Sequence, residues 1–213
     1  MPANSVPSAP SGARGSVVSC HLESPLDDES WRRFDAVRRR FDLIALIRPP
    51  DPAFGEDEAT WLARARTLEL VGLHTHWTSP SHARPTGGDP AARVRRDYEC
   101  VRGHGLEPRW FCGGGWYTDA AVRATVAELG MVDCTVRDGL PRDGVLPTTH
   151  SLGRLARAVL TPALPAYVHA YFHDYDLLDA RRRTALRISL RVLGMRRSAL
   201  DASSATRKSH GTR

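Results

Sequence analysis

The strongest constraint on this chain is an alternation. Six short apolar runs, at residues 16–21, 43–47, 70–73, 109–112, 131–136 and 166–172, are each followed by a stretch with helical spacing. Trp31, Phe34, Val37 and Phe41 recur at near-helical intervals after the first run, and Ala59, Leu62, Ala65 and Leu68 after the second. Pro90 opens a third helix carrying Val94, Tyr98 and Val101. Val122, Val126 and Leu129 lie between a Thr118 or Asp119 cap and a Gly130 stop. Residues 152–160 and 179–193 complete the series. Strand, helix, strand with short connections implies an α/β domain on a parallel sheet, because parallel neighbours need a crossover. The sheet is either open and doubly wound or curled into a closed or incomplete (β/α) barrel. One domain over residues 16–195 accounts for the pattern, with a disordered arm at 1–15 and a basic disordered tail at 196–213.

Composition narrows the class. The 213 residues are 41% hydrophobic and 25% charged, ordinary for a globular protein. No apolar run approaches 18 residues, so no membrane span is expected. The first sixteen residues lack the apolar centre of a signal peptide, and the four cysteines, at 20, 100, 112 and 134, lack CxxC spacing. Both features point to a cytoplasmic protein without disulfides or a structural zinc site. The net charge of +6 is local: residues 180–213 hold ten basic residues and one acid. These arginines lack interleaved aromatics, so a specific nucleic-acid partner is not expected.

In parallel α/β folds the chemistry sits where strands end. Histidine follows three of the six predicted strands: His21 with Glu23 after the first, His74 with His76 after the third, His173 with Asp174 and Asp176 after the sixth. In extended backbone, His74 and His76 face one side and can share a divalent ion such as Zn²⁺, with Glu23 or His21 as third ligand. His173 is a candidate general acid, oriented by Asp176 or Asp133, while Asp174 and Glu23 are further catalytic carboxylates. One of Asp174, Asp176 and Asp179 is expected to cap the last helix. Gly113, Gly114 and Gly115 would let a ligand approach the backbone beside Cys112, with Trp77, Trp116 and Tyr117 as aromatic surfaces. Cys112 is either a nucleophile without an evident base or a buried core residue. His150 faces the site, or Ser151 simply caps a helix there.

The stretches VGLHTHWTSP, RWFCGGGWYTD and YVHAYFHDYDLL resemble the polysaccharide deacetylase superfamily (NodB homology, carbohydrate esterase family 4) over roughly residues 17–195. The resemblance implies a distorted (β/α) barrel and metal-dependent removal of acetyl groups from carbohydrate, with some relatives acting on small amides. It implies a metal set of one Asp and two His, a second Asp as base and a late His as acid. His74 matches the first motif histidine, and His173 the late one. The second motif histidine falls on Thr78, so His76 or His82 would replace it. The paired Asp of the first strand falls on Cys-His-Leu-Glu, leaving Glu23 or His21. The fourth-strand motif lacks its Arg, and the loop from Val136 to Pro147 is short. Two functions follow: a metal-dependent hydrolase of a non-peptide C–N bond, removing N-acetyl groups from a carbohydrate, or a catalytically degenerate deacetylase fold that binds carbohydrate. The oligomeric state is not readable from the sequence.

Overall fold

The computed structural model describes residues 15–160 and 164–194; the predicted arm lies almost wholly, and the predicted basic tail wholly, outside them. Strands β1 (Gly15–Leu22), β2 (Ile44–Ile47), β3 (Val71–Thr75), β4 (Trp110–Gly113), β5 (Val132–Asp133), β6 (His150–Ser151) and β7 (Tyr167–His173) form one sheet. Its order is β5-β4-β3-β2-β1-β7-β6 and every named pair is parallel. Helices α1 (Asp28–Arg38), α2 (Glu58–Ala65), α3 (Pro90–Gly103), α4 (Ala120–Glu128) and α5 (Leu152–Ala158) lie in the crossovers, and α6 (Ala180–Gly194) follows the last strand. The sheet curls into an incomplete (β/α) barrel.

Caps set the helix starts. Asp27, Asp57, Asp89, Asp119 and Ser151 each accept a backbone N–H from the first turn of the helix that follows, and Asp179 does so for α6 through Arg182 N–H. Helix α2 is therefore shorter than residues 56–68: Asp57 caps it, and Glu56 is drawn away to pair with Arg48.

Two apolar clusters match the two faces of the sheet. Val18, Cys20 and Leu22 of β1, Ala45 and Ile47 of β2, and Val168, Ala170 and Phe172 of β7 pack outward against Phe34, Trp61, Val94, Leu155 and Leu190. Alternate residues Val17, Ile44, Leu46, Cys112, Cys134 and Tyr167 fill the concave side. This parity places the site, because successive side chains on a strand take opposite faces. His21 and Glu23 continue the inward row of Val17, His74 that of Gly72, and His173 that of Tyr167, His169 and Tyr171.

Two differences from the sequence reading stand out. The strand expected at 131–136 is a ladder of two residues; beyond it the chain makes only isolated bridges, Asp133 with Val145 and Arg137 with Thr148. A seventh strand, β6, lies where a loop end and helix start were expected. It is two residues long and carries no periodic signal. The intervening segment stitches the sheet's edges: Leu146 N–H donates to Asp133 O, Thr148 N–H to Val136 O, and Thr149 N–H to His169 O.

Candidate metal and catalytic site

The register brings the strand-end histidines together. His21 pairs with Leu46 and with His173, and His74 with Cys112, so three imidazoles share the inward face at the C-terminal rim. His21 and His74 stand 4.7 Å apart between ring centroids, His74 and His76 4.9 Å, and His21 and His173 5.1 Å.

His74 Nδ1 lies 2.9 Å from the Cys112 carbonyl and His76 Nδ1 2.9 Å from that of Pro80. A carbonyl only accepts, so both Nδ1 atoms carry a proton and both rings turn Nε2 toward the rim. Both Nε2 atoms meet Glu23: His74 Nε2 lies 3.2 Å from Oε1 and His76 Nε2 2.9 Å from Oε2. The His76 contact has ion-pair distance without hydrogen-bond alignment, and its Nε2 is buried and unpartnered. Burial drives the His74 pKa down, against formation of a cationic ring. Burial also opposes charge on Glu23, but the two imidazoles outweigh it and hold Glu23 ionised, far below the usual carboxylate range. One carboxylate and two imidazole Nε2 atoms, with ligand atoms within 4.8 Å of one another, fit a divalent cation of the zinc class.

The surrounding polar groups hold this set in place. Arg48, buried at the end of β2, pairs with Glu56 and reaches the Glu23 carbonyl at 3.4 Å. Asp174 accepts the backbone N–H of Glu23, Ser24 and Tyr175 at 3.2, 2.8 and 2.9 Å. Burial nevertheless pushes its pKa up to about 6. His173 Nδ1 stands 3.6 Å from Asp176, which also pairs with Arg182. His173 Nε2 points toward Glu23 Oε1 at 4.0 Å. Tyr175 stacks on His173 with centroids 4.8 Å apart, and a cavity of about 510 Å³ opens beside them, lined also by Ser151, Leu152, Tyr171 and Arg182.

No protein-family model matches the chain, and no curated protein matches it by sequence. Solved structures do match. A carbohydrate esterase family 4 pseudoenzyme from Bacillus anthracis superposes with TM-score 0.57 at 11% identity, over 86% of this chain and 62% of that one. This is the polysaccharide deacetylase fold. A family 4 carbohydrate esterase from Streptomyces lividans, solved with acetate, gives TM-score 0.54 at 15% identity over 86% and 90% of the two chains. A candidate polysaccharide deacetylase from Bordetella bronchiseptica, involved in O-antigen biosynthesis, gives 0.52 at 11% over 92% and 91%. The chain thus spans about 62% of the B. anthracis protein.

Within this deacetylase fold the structure sorts the expected site residues. His74, His76, Glu23, His173 and Asp174 converge at the rim, whereas His82 is exposed in the turn it makes with Ser79. Asp176, not Asp133, is the carboxylate beside His173. Asp133 lies on β5 in register with outward-facing Phe111 and accepts Thr135 N–H.

The structure places most of the expected substrate surface away from the rim. Trp77 is 8% exposed and edge-on to Tyr117, with its indole N–H donated to Pro90 O. Cys112 is fully buried, and burial raises its thiol pKa. The glycines admit protein, not ligand: a Cβ on Gly113 would meet Tyr117 O and Trp77, and one on Gly114 would meet Thr75 O at 2.7 Å and His76 Cδ2 at 2.9 Å. Tyr117 is tied to Asp119 on the Trp77 side. His150 pairs with Ala170, an outward position, and bonds Thr149; Ser151 is the residue that lines the cavity. Of the expected aromatics only Trp116 touches the histidines, 5.5 Å from His21 and edge-on to Tyr171 at 4.8 Å. It holds a left-handed φ of 60° after Gly115 at 59°, with Arg137 over its face, a strained conformation of the kind that gathers at functional sites. The sequence reading misses Tyr171 and Tyr175. The alternation in Tyr167, His169, Tyr171, His173 is the signal that could have found Tyr171.

Among the described residues, no helix is long and apolar enough to cross a membrane. Two of the arginines on α6 bond the segment before it, Arg182 to Asp176 and Arg183 to the Leu177 carbonyl.

Proposed function

We propose that this chain is a metal-dependent hydrolase that removes an acetyl group from the nitrogen of a carbohydrate. The observation that carries the reading is the convergence of two tautomer-fixed imidazoles on Glu23, opposite a histidine backed by a carboxylate. His74, His76 and Glu23 would hold the cation, which when bound supplies Lewis acidity for the amide carbonyl. His173, with Nδ1 toward Asp176, would deliver a proton from Nε2 to the leaving nitrogen. Glu23 Oε1, on the His173 side, would accept the proton of the attacking water. Asp174 acts as a positioning residue through the Glu23 and Ser24 amides. Trp116, Tyr171 and Tyr175 would wall the sugar.

A second reading, carbohydrate binding without chemistry, draws on a different observation. Glu23 is engaged by both imidazoles and Asp174 by three amides, so no carboxylate at the rim is left as a dedicated base. Metal content and acetate release from N-acetylchitooligosaccharides separate the two. The hydrolase reading expects bound divalent metal that is lost in His74→Ala, and acetate release that a chelator abolishes. It expects His173→Ala to retain metal at His74 and His76 but to lose about 10²–10⁴ in rate. Sugar binding unchanged by chelator, with no acetate released, would establish the second reading instead.

A further inference from the structure

His21 takes no part in the cation set of His74, His76 and Glu23, yet it is the histidine most central to the rim. It is 3% exposed, and its Nε2 is buried without a hydrogen-bond partner. An orphaned buried nitrogen costs free energy unless something arrives to meet its lone pair or its proton. His21, Glu23 and His173 offer ligand atoms within 4.8 Å of one another, a separate triad from that of His74, His76 and Glu23.

Glu23 is the member common to both triads. Its Oε2 lies on the His76 side at 2.9 Å, while Oε1 stands between His74 Nε2 at 3.2 Å and His173 Nε2 at 4.0 Å. A carboxylate with lone-pair donors disposed about both oxygens can bridge two ions, and paired catalytic ions sit about 3.5–4 Å apart. We infer that the rim holds a second divalent cation between His21, Glu23 and His173, so that Glu23 bridges a two-metal centre. Asp174 and Asp176 flank this position and balance part of the added charge. The inference rests on the reading of His74, His76 and Glu23 as ligands of the first cation. Its functional consequence is opposed to that of the first ion. The second takes the lone pair of His173, so hydrolysis falls as it loads.

The test is metal stoichiometry. The purified full chain is dialysed to equilibrium against Mn²⁺ or Zn²⁺ and analysed for bound metal, with folding of each variant checked by circular dichroism. Two ions per chain are expected for the wild type, and one for His21→Gln and for His173→Gln. His173→Gln, at the half-exposed rim, carries the test if His21→Gln fails to fold. Two Mn²⁺ ions sharing a carboxylate should also give an exchange-coupled paramagnetic resonance spectrum that either variant simplifies. One ion in the wild type, unchanged by both variants, overturns the second site and leaves the proposed hydrolase standing. No ion in the wild type overturns both. Two ions in both wild type and the folded His21→Gln and His173→Gln variants overturn the assignment of these ligands.

Discussion

Gly114 sets how closely the loop after β4 approaches His76. An added Cβ would stand 2.7 Å from Thr75 O, 2.9 Å from Ala83 Cβ and 2.9 Å from His76 Cδ2. Two of these are backbone or short side chain and cannot swing away, so the loop or His76 must move. Gly114→Ala is expected to cost about 1–3 kcal/mol in urea unfolding, the range of core overpacking. It should also weaken metal binding in a dye-competition titration, because the atom displaced belongs to a ligand ring. Gly103, in the last turn of α3, has no neighbour within 4 Å of the place an added methyl would take and serves as the control. Gly103→Ala should be neutral or stabilising by up to about 1 kcal/mol, through the unfolded chain alone. An equal response in the two variants would dismiss the packing argument. The glycine triplet is conspicuous in the sequence, but its meaning is not. Only the register that places Thr75 opposite Gly113 shows that the space left by the missing side chains is filled by the protein itself.

At the scale of elements, β1 and β7 are the most legible parts of the molecule, because alternation on two paired strands sends every second residue inward. That pattern alone puts His21, Glu23, His169 and His173 on one side. It does not reveal that His169, one step below the rim, is closed off in the barrel interior, fully buried between Ser19 Oγ at 3.0 Å and the Leu146 carbonyl at 3.2 Å. Burial pushes its pKa down to about 4. Above pH 6.5, His169 is neutral in folded and unfolded chains alike and pH has no leverage through it. Below 6.5 the unfolded chain takes up a proton that the folded chain refuses until about pH 4. Stability should therefore fall across that window, by up to about 3 kcal/mol from this group. The difference in unfolding free energy between wild type and His169→Gln, followed from about pH 7.5 to about pH 4, isolates the effect from the carboxylates that titrate nearby. A pH-independent difference would mean that His169 keeps an ordinary pKa. Strands β5 and β6 mark the opposite extreme of legibility. Two-residue ladders have no period to detect, so sequence position alone draws Asp133 and His150 to the site although they lie on the outward face.

For the whole molecule, the alternation of strand and helix leaves an open sheet and a barrel equally admissible, and only the family resemblance points to an incomplete barrel. What separates them is the stretch from Val145 to Thr149, which has no hydrophobic period and lies at the end of the Gly/Pro/Asp-rich loop of residues 137–147. It draws the β5 edge toward β7 through Leu146, Thr148 and Thr149 amides, with two buried side-chain bonds added. Thr148 Oγ1 donates to Cys134 O at 2.8 Å, and Tyr167 OH donates to Pro147 O at 2.9 Å. Thr148 is 2% and Tyr167 3% exposed, so water cannot replace either donor without rearrangement. Thr148→Val and Tyr167→Phe should each destabilise by about 1–3 kcal/mol, the cost of leaving a buried carbonyl unmet. Because both bonds lie along one seam, the double variant should depart from additivity. Hydrogen exchange gives the sharper readout. The amides of Leu146, Thr148 and Thr149 should lose protection in either variant, while those of β2 and β3, in the middle of the sheet, keep theirs. If the seam variants accelerate exchange throughout the sheet, the barrel opens as one cooperative unit and this segment is part of its core. If exchange rises only at the seam and bound metal is unchanged, closure and the histidine rim are separable. The site then depends on the pairing of β1 with β2 and β7, and of β3 with β4, and not on completion of the ring.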